Sequence, residues 1–209
     1  LRGGSKGIKR KNLIKINKKP LLYYVLKASI DAGIRTVVST EDSEIKSVCK
    51  NLFQGIDVID RPAELASDNS STDDVIEHFL EIDSNVNNIV LLQATSPMTT
   101  SNDLKKAINI FNTNKNKSLV SVVKTHPFLW DKYGKATNYD PRNRPRRQDW
   151  DGYYQENGAI YIFSRSQFQK DRCRCTKECS LYEMNIKSMF EIDEIEDFKF
   201  LSALLKEKE

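Results

Sequence analysis

Short apolar runs alternate with amphipathic helical segments through the first 123 residues. That alternation of two periods admits an α/β sheet and little else. Pro20 opens a helix whose buried stripe is Leu21, Leu22, Val25, Leu26, Ser29 and Ile30, and Gly33 stops it. Residues 36–39 read as a buried strand. Asp42 or Ser43 caps a helix carrying Ile45, Val48, Cys49 and Leu52. Residues 56–59 form a short strand and 60–71 a polar loop. Ser71 or Thr72 caps a helix through Leu80, residues 88–93 form a strand, and Ser101 caps a helix through Phe111. Another strand follows at 119–123.

The pattern then breaks. Residues 125–155 hold three prolines, a run of arginines and both tryptophans, with little periodicity. An irregular stretch of that length suits a protruding arm with its own partners better than a loop. Strands are expected again at 159–163, 181–186 and 189–193, and a helix at 194–205. The domain reading is therefore one α/β unit, 1–124 with 156–209, interrupted by an arm at 125–155.

The first twelve residues pack three glycines, a serine and five basic side chains. Glycines let a backbone turn and present N–H groups to an anion, and Lys and Arg add full charge. Together they suit a nucleoside triphosphate. The spacing is neither the Walker pattern nor the dinucleotide fingerprint. A flexible basic tail is the competing reading. A buried strand is expected ahead of this segment, so upstream residues are suspected.

The net charge of +4 gathers at this segment and at Arg142–Arg147. A small polyanion accounts for it, and the aromatic-basic patterns of RNA-binding modules are missing, which argues against nucleic acid. No apolar stretch is long enough for a membrane span. Cys173, Cys175 and Cys179 fall within seven residues. A closed zinc site wants four ligands, and only Cys49, His78 and His126 remain. Free thiols in a reducing cytoplasm are the favoured reading.

Five motifs stand in order along the chain: 1–12; Arg61-Pro62-Ala63-Glu64-Leu65-Ala66-Ser67-Asp68; Leu91-Leu92-Gln93-Ala94-Thr95-Ser96-Pro97; Arg146-Arg147-Gln148 with Glu156-Asn157-Gly158-Ala159-Ile160-Tyr161-Ile162; and Glu191-Ile192-Asp193 with Glu196-Asp197. This series resembles the CMP-sialic acid synthetases, the acylneuraminate cytidylyltransferases. The resemblance implies a Rossmann-like three-layer nucleotidyltransferase sheet, mostly parallel, with a protruding dimerisation arm. It implies a homodimer that joins CTP to an acidic nine-carbon sugar with Mg²⁺ and releases pyrophosphate.

Residue by residue, the resemblance places Arg2, Gly3, Gly4, Ser5, Lys6, Lys11 and Asn12 on the triphosphate. Lys6 stabilises charge at the α-phosphate, with Arg2 beside it. Arg61, Ala66, Ser67 and Thr72 fall on the cytosine side; a surface ion pair with Glu64 and a plain helix cap compete for Arg61 and Thr72. Gln93, Asn157 and Tyr161 fall on the sugar, and Arg147 on its carboxylate. Glu191 and Asp193, alternating on a strand, point to one face and hold the metal. The family usually shows aspartate at 191. Arg174 and Cys175 stand where relatives can place aromatic side chains against the N-acyl group, which leaves legionaminic, pseudaminic and other nonulosonic acids open. Rival readings are a CMP-Kdo-type synthetase and a catalytically silent nucleotide-binding subunit.

Overall fold

The computed structural model describes residues 1–4, 7–114, 117–192 and 194–206. The expectations placed on Ser5, Lys6 and Asp193 lie outside the described residues.

A small hairpin comes first, β1 (Lys15–Ile16) with β2 (Lys19–Pro20), turning through Asn17 and Lys18 at φ 46° and 69°. Helix α1 (Leu21–Asp31) follows, with Pro20 at its N-cap. Strand β3 (Val37–Thr40) leads to α2 (Ser43–Leu52), capped by Asp42, whose carboxylate accepts the Ile45 N–H. Strand β4 (Asp57–Asp60) precedes α3 (Thr72–Ile82). Ser71 and Asp74 form a reciprocal capping box at α3, so Thr72 is the first helical residue and not the cap.

Strand β5 (Asn88–Leu92) leads to α4 (Ser101–Thr113). The expected cap Ser101 yields to Thr100, because Asp103 stands where it can answer the Thr100 backbone N–H. Then come β6 (Ser118–Thr125), β7 (Tyr153–Ser164), α5 (Arg165–Asp171), β8 (Ser180–Glu183) and α6 (Ile195–Lys206).

The sheet departs from the mostly parallel expectation. β3 and β4 form a parallel pair, and β5-β7-β6-β8 form a separate sheet. Within it β7 runs antiparallel to both β5 and β6, while β6 and β8 are parallel. The reason is the connection. β6 and β7 share a ladder that ends at Thr125↔Tyr153, so the chain leaves and returns at one point, as in a hairpin.

Three layers result. Leu104, Ala107 and Phe111 of α4 cover Leu119 and Val123 of β6 and Ile160 and Ile162 of β7 on one face. Ile76 and Leu80 of α3 and Phe168 of α5 cover Tyr161 and Phe163 on the other. α6 packs Leu201 and Leu205 against Ile8, Ile16 and Ile192.

Residues 126–152 hang from the end of the β6–β7 ladder, and β7 takes the last three residues of the expected arm. The arm has a small core of its own. Phe128 lies 4.6 Å from Tyr139 and 4.9 Å from Trp150, with the Arg144 guanidinium 3.9 Å over its ring. Leu129, Trp130 and Tyr133 remain exposed.

Candidate active site

The amino-terminal loop is tied down by contacts to distant segments. The Gly3 N–H donates to Glu41 Oε1 at 2.7 Å. A Cβ on Gly3 would lie 2.3 Å from Asp42 Oδ2, so a larger residue there requires the Asp42 side chain, held by Arg10 and the Ile45 N–H, to shift. The Asn12 amide, buried, donates to the Arg2 carbonyl at 2.9 Å, and Lys11 Nζ to the Ile192 carbonyl at 2.7 Å. Arg2 reaches the second motif, donating to Ser67 O at 3.2 Å and Asp68 Oδ1 at 2.9 Å. Arg10, adjacent to Lys11, is an ion-pair partner of Asp42 and Glu44.

Arg61 directly follows the last residue of β4. Its guanidinium turns to β3, donating to Ser39 O at 2.8 Å and Ser39 Oγ at 3.2 Å. Burial pushes its pKa below the ordinary arginine value, with the Glu41 carboxylate working the other way. Arg2, Asn12, Arg61, Thr72 and Gln93 all line one cavity of about 580 Å³. Their polar groups gather where β3 and β5 end, the position at which open α/β sheets take ligands. Ala66 lies on a short helical turn, Ala63–Ala66, and Ser67 exchanges a 2.8 Å hydrogen bond with Ser70.

Gln93 also lines a second cavity of about 350 Å³, with Gln155, Glu156, Asn157, Gly158, Tyr161, Met189 and Glu191. A bulge in β7 builds it. Val120 pairs with Tyr161 and Val122 with Glu156, so residues 157–160 stand opposite Ser121 alone. Ser121 fills the break: its hydroxyl donates to Asn157 Oδ1 at 2.6 Å and accepts the Ile160 N–H at 2.8 Å. On a regular strand Glu156 and Tyr161 would face opposite ways. The bulge turns them together, and the Tyr161 hydroxyl donates to Glu156.

Burial, and then the Glu156 carboxylate, raise the Tyr161 pKa far above its usual value, so this hydroxyl stays protonated. The Arg174 guanidinium lies 4.9 Å over the Tyr161 ring and pairs with Asp73 at 2.9 Å. A cation thus stands where the resemblance leads one to look for an aromatic side chain. Glu156 and Ser121 were not singled out as site residues in the sequence. Gly158, inside a strand pattern, is the one signal that could have marked the bulge.

Asn157 is placed at this cavity with its polar atoms engaged inward, its Nδ2 donating to Ser188 Oγ at 2.8 Å. Arg147 is not brought here: it sits exposed on the arm in the turn Arg147–Asp149 and lines neither cavity. Glu191 does not lie on a strand. Phe190 to Ile192 is irregular: the Ile192 N–H donates to Thr95 O, the Ile192 carbonyl accepts from Lys11 Nζ, and the Ile192 side chain is buried. The Glu191 carboxylate lies against Gly158, where a Cβ would be 2.0 Å from its Oε1. The Glu191 carboxylate supplies one hard oxygen donor of the kind Mg²⁺ takes. Among the described residues no three His, Cys, Asp or Glu side chains form a metal-holding group.

An α/β sheet that gathers cations and a glutamine at its strand ends, beside a second cavity with two carboxylates, defines a nucleotide-handling class of protein. The family model for Cytidylyltransferase matches residues 1–209, and the chain belongs to that family. A relative in Oncorhynchus mykiss, "N-acylneuraminate cytidylyltransferase", is 38% identical over 178 residues, 81% of this chain and 41% of the relative. A relative of the same name in Streptococcus agalactiae serotype V is 29% identical over 230 residues, 100% of this chain and 54% of the relative. The chain spans about half the length of the curated relatives it matches. A solved CMP:2-keto-3-deoxy-manno-octonic acid synthetase complexed with CTP superposes with TM-score 0.73 at 16% identity, over 100% of this chain and 97% of that one, and shares the fold.

Proposed function

We propose that this chain is the catalytic part of a cytidylyltransferase that activates a nonulosonic acid. A hydroxyl oxygen of the acid sugar attacks the α-phosphorus of CTP. The bond to the β-phosphate oxygen breaks, pyrophosphate leaves with the electron pair, and the hydroxyl proton passes to solvent. The observation that carries this reading is the gathering of Arg2, Asn12, Arg61 and Gln93 at the carboxyl ends of β3 and β5, next to the polar cavity at the β7 bulge that Gln93 also lines. The names of the curated relatives support the same reaction.

In this reading Arg2, Gly3, Gly4, Ser5, Lys6, Lys11 and Asn12 form the triphosphate side. Arg61, Ala66, Ser67 and Thr72 form the cytosine side. Gln93, Tyr161 and Asn157 form the sugar side, with Asn157 acting by holding the bulge. Glu191 and Asp193 would hold Mg²⁺, which would supply charge to offset the triphosphate. Arg147 meets the sugar carboxylate from the arm of a second copy, which makes the enzyme a homodimer. The exposed Leu129, Trp130 and Tyr133 support that role for the arm. Cys49, Cys173, Cys175 and Cys179 are all free thiols, which suits the cytoplasm.

The test is pyrophosphate release from CTP and Mg²⁺ with N-acetylneuraminic, legionaminic, pseudaminic or Kdo acid. Release with a nine-carbon acid is expected. Release with Kdo alone moves the reading to the eight-carbon class, and silence with every acid overturns it. Mixing Arg147→Ala and Lys6→Ala subunits tests the dimer: activity returns in part if the arm works across the interface.

A further inference from the structure

The smaller cavity offers a ligand several polar groups, and one of them has a fixed polarity. Gln93 and Gln155 line it with side-chain amides, each able to donate or to accept. The Asn157 side chain is engaged inward, by Ser121 and Ser188. Tyr161 is 3% exposed, and its hydroxyl proton is committed to Glu156 Oε1. Glu156 itself is exposed, and no hydrogen bond among the described residues reaches its Oε2. A carboxylate accepts and does not donate, so this oxygen answers an O–H or an N–H and nothing else.

Glu156 is also held in place from outside the cavity. Asp73, in the first turn of α3, accepts from Arg174 Nη1 at 2.9 Å, and both side chains are 28% exposed. That pair sets the Arg174 guanidinium 4.9 Å over the Tyr161 ring, where cation and ring face attract. Arg174 does not line the cavity, so it reaches a ligand only through Tyr161. The series Asp73, Arg174, Tyr161, Glu156 runs acceptor to cation to hydroxyl to acceptor. Each link restricts the next. An exposed glutamate on a strand would otherwise lose rotamer freedom only when the ligand arrives.

We propose that Glu156 is a specificity-determining residue, aimed by the positioning relay Asp73–Arg174–Tyr161, and that it accepts one O–H or N–H of the acid sugar. The inference rests on the cytidylyltransferase reading above and adds the polarity of one contact. Like charges repel, so the sugar carboxylate points away from Glu156. A sugar that lacks the donor leaves the carboxylate unanswered and is rejected. Glu156 is exposed, which lets water soften the penalty to about tenfold.

The test is pyrophosphate release with N-acetylneuraminic, legionaminic and pseudaminic acids and their derivatives carrying one deoxygenated hydroxyl or one methylated amide N–H. In the parent chain one derivative is expected to lose about tenfold in kcat/KM, with the KM for CTP unchanged. Glu156→Gln keeps the shape and replaces one acceptor oxygen with a donor, and the preference should fall below about threefold. Arg174→Met should raise the KM for the sugar and not that for CTP, Arg174→Lys should restore part of the loss, and the Arg174 effect should vanish in a Glu156→Gln background. A preference that survives Glu156→Gln overturns the inference and leaves the reaction standing. So does an active parent chain that tolerates every derivative. An Arg174 effect of equal size in both backgrounds overturns the relay. Silence of the parent chain with every acid overturns the reading of the reaction and this inference with it. Should Glu156→Gln be inactive, Glu156→Asp decides, because its carboxylate stands one methylene back: a smaller preference supports the contact and an unchanged one overturns it.

Discussion

The basic loop and the bulge cavity hold their functional groups in different ways. Along the loop, position comes from single bonds to segments far away in sequence: Arg2 to Ser67 and Asp68, Gly3 to Glu41, Lys11 to Ile192. At the bulge, position comes from one distorted strand with its polar atoms answered inside the core, Ser121 to Asn157 and Ile160, Asn157 to Ser188. The loop hangs on separated ties, whereas the bulge is braced within the core. Charge neutralisation tolerates the first arrangement, whereas recognition of hydroxyl stereochemistry requires the second.

The contrast predicts where turnover and affinity separate. Lys6→Ala is expected to lower turnover about a hundredfold or more while CTP affinity changes little, as for a group that meets charge in the transition state. Single-turnover kinetics at saturating CTP checks it. Unchanged turnover with weaker CTP binding would make the loop a mere holder and erase the contrast.

Glu156→Ala strikes the rigid half. It leaves the buried Tyr161 hydroxyl without its acceptor, a loss of about 1–3 kcal/mol of stability. The KM for the acid sugar should rise while the KM for CTP holds. Equal rises in both would show that the two cavities are not separately built. Chemical denaturation and paired KM measurements give the answer.

Gly158→Ala sharpens the metal side. Gly158 has φ 66°, and an added Cβ displaces the flexible end of Glu191. The backbone strain costs about 1 kcal/mol, and the Mg²⁺ concentration for half-activity should rise. In a Glu191→Ala background the second effect should vanish. A shift that persists there would place the metal elsewhere.

Legibility in the sequence divides along the same line. The helices announced themselves through caps, as at Asp42 and Ser71, because a cap is a local bond between near neighbours. The loop was legible because its chemistry lies in composition. The direction of β7 was not, since apolar periodicity is the same for either direction, and only the return at Thr125↔Tyr153 decides it. Over 189–192 the expected strand is absent because Ile192 is buried by side-chain packing and held by bonds to Thr95 and Lys11 rather than by a ladder, a pattern that imitates a strand in one dimension. Ser121 and Glu156 stayed hidden because their roles exist only after residues 157–160 bulge. Arg147, exposed on the arm, has no partner site that a single chain can reveal.

The smallest effect belongs to the tie between Arg2 and Asp68. Both side chains are partly exposed, at 35% and 44%. Water screens such a pair, and Asp68→Asn should change stability by less than about 1 kcal/mol. The Ser67 carbonyl still accepts from Arg2 after the substitution, so the direction of the guanidinium survives. The KM for CTP should then stay within about threefold, since one carboxylate removed from a solvated pair changes the local charge only slightly. Asn keeps the side-chain shape and one acceptor oxygen, which confines the change to charge. A tenfold rise in that KM would mean that Asp68 alone aims Arg2, and that the loop is as fixed as the bulge. A fall would mean that Asp68 competes with the triphosphate for Arg2, which is the behaviour expected of a tie that a ligand breaks.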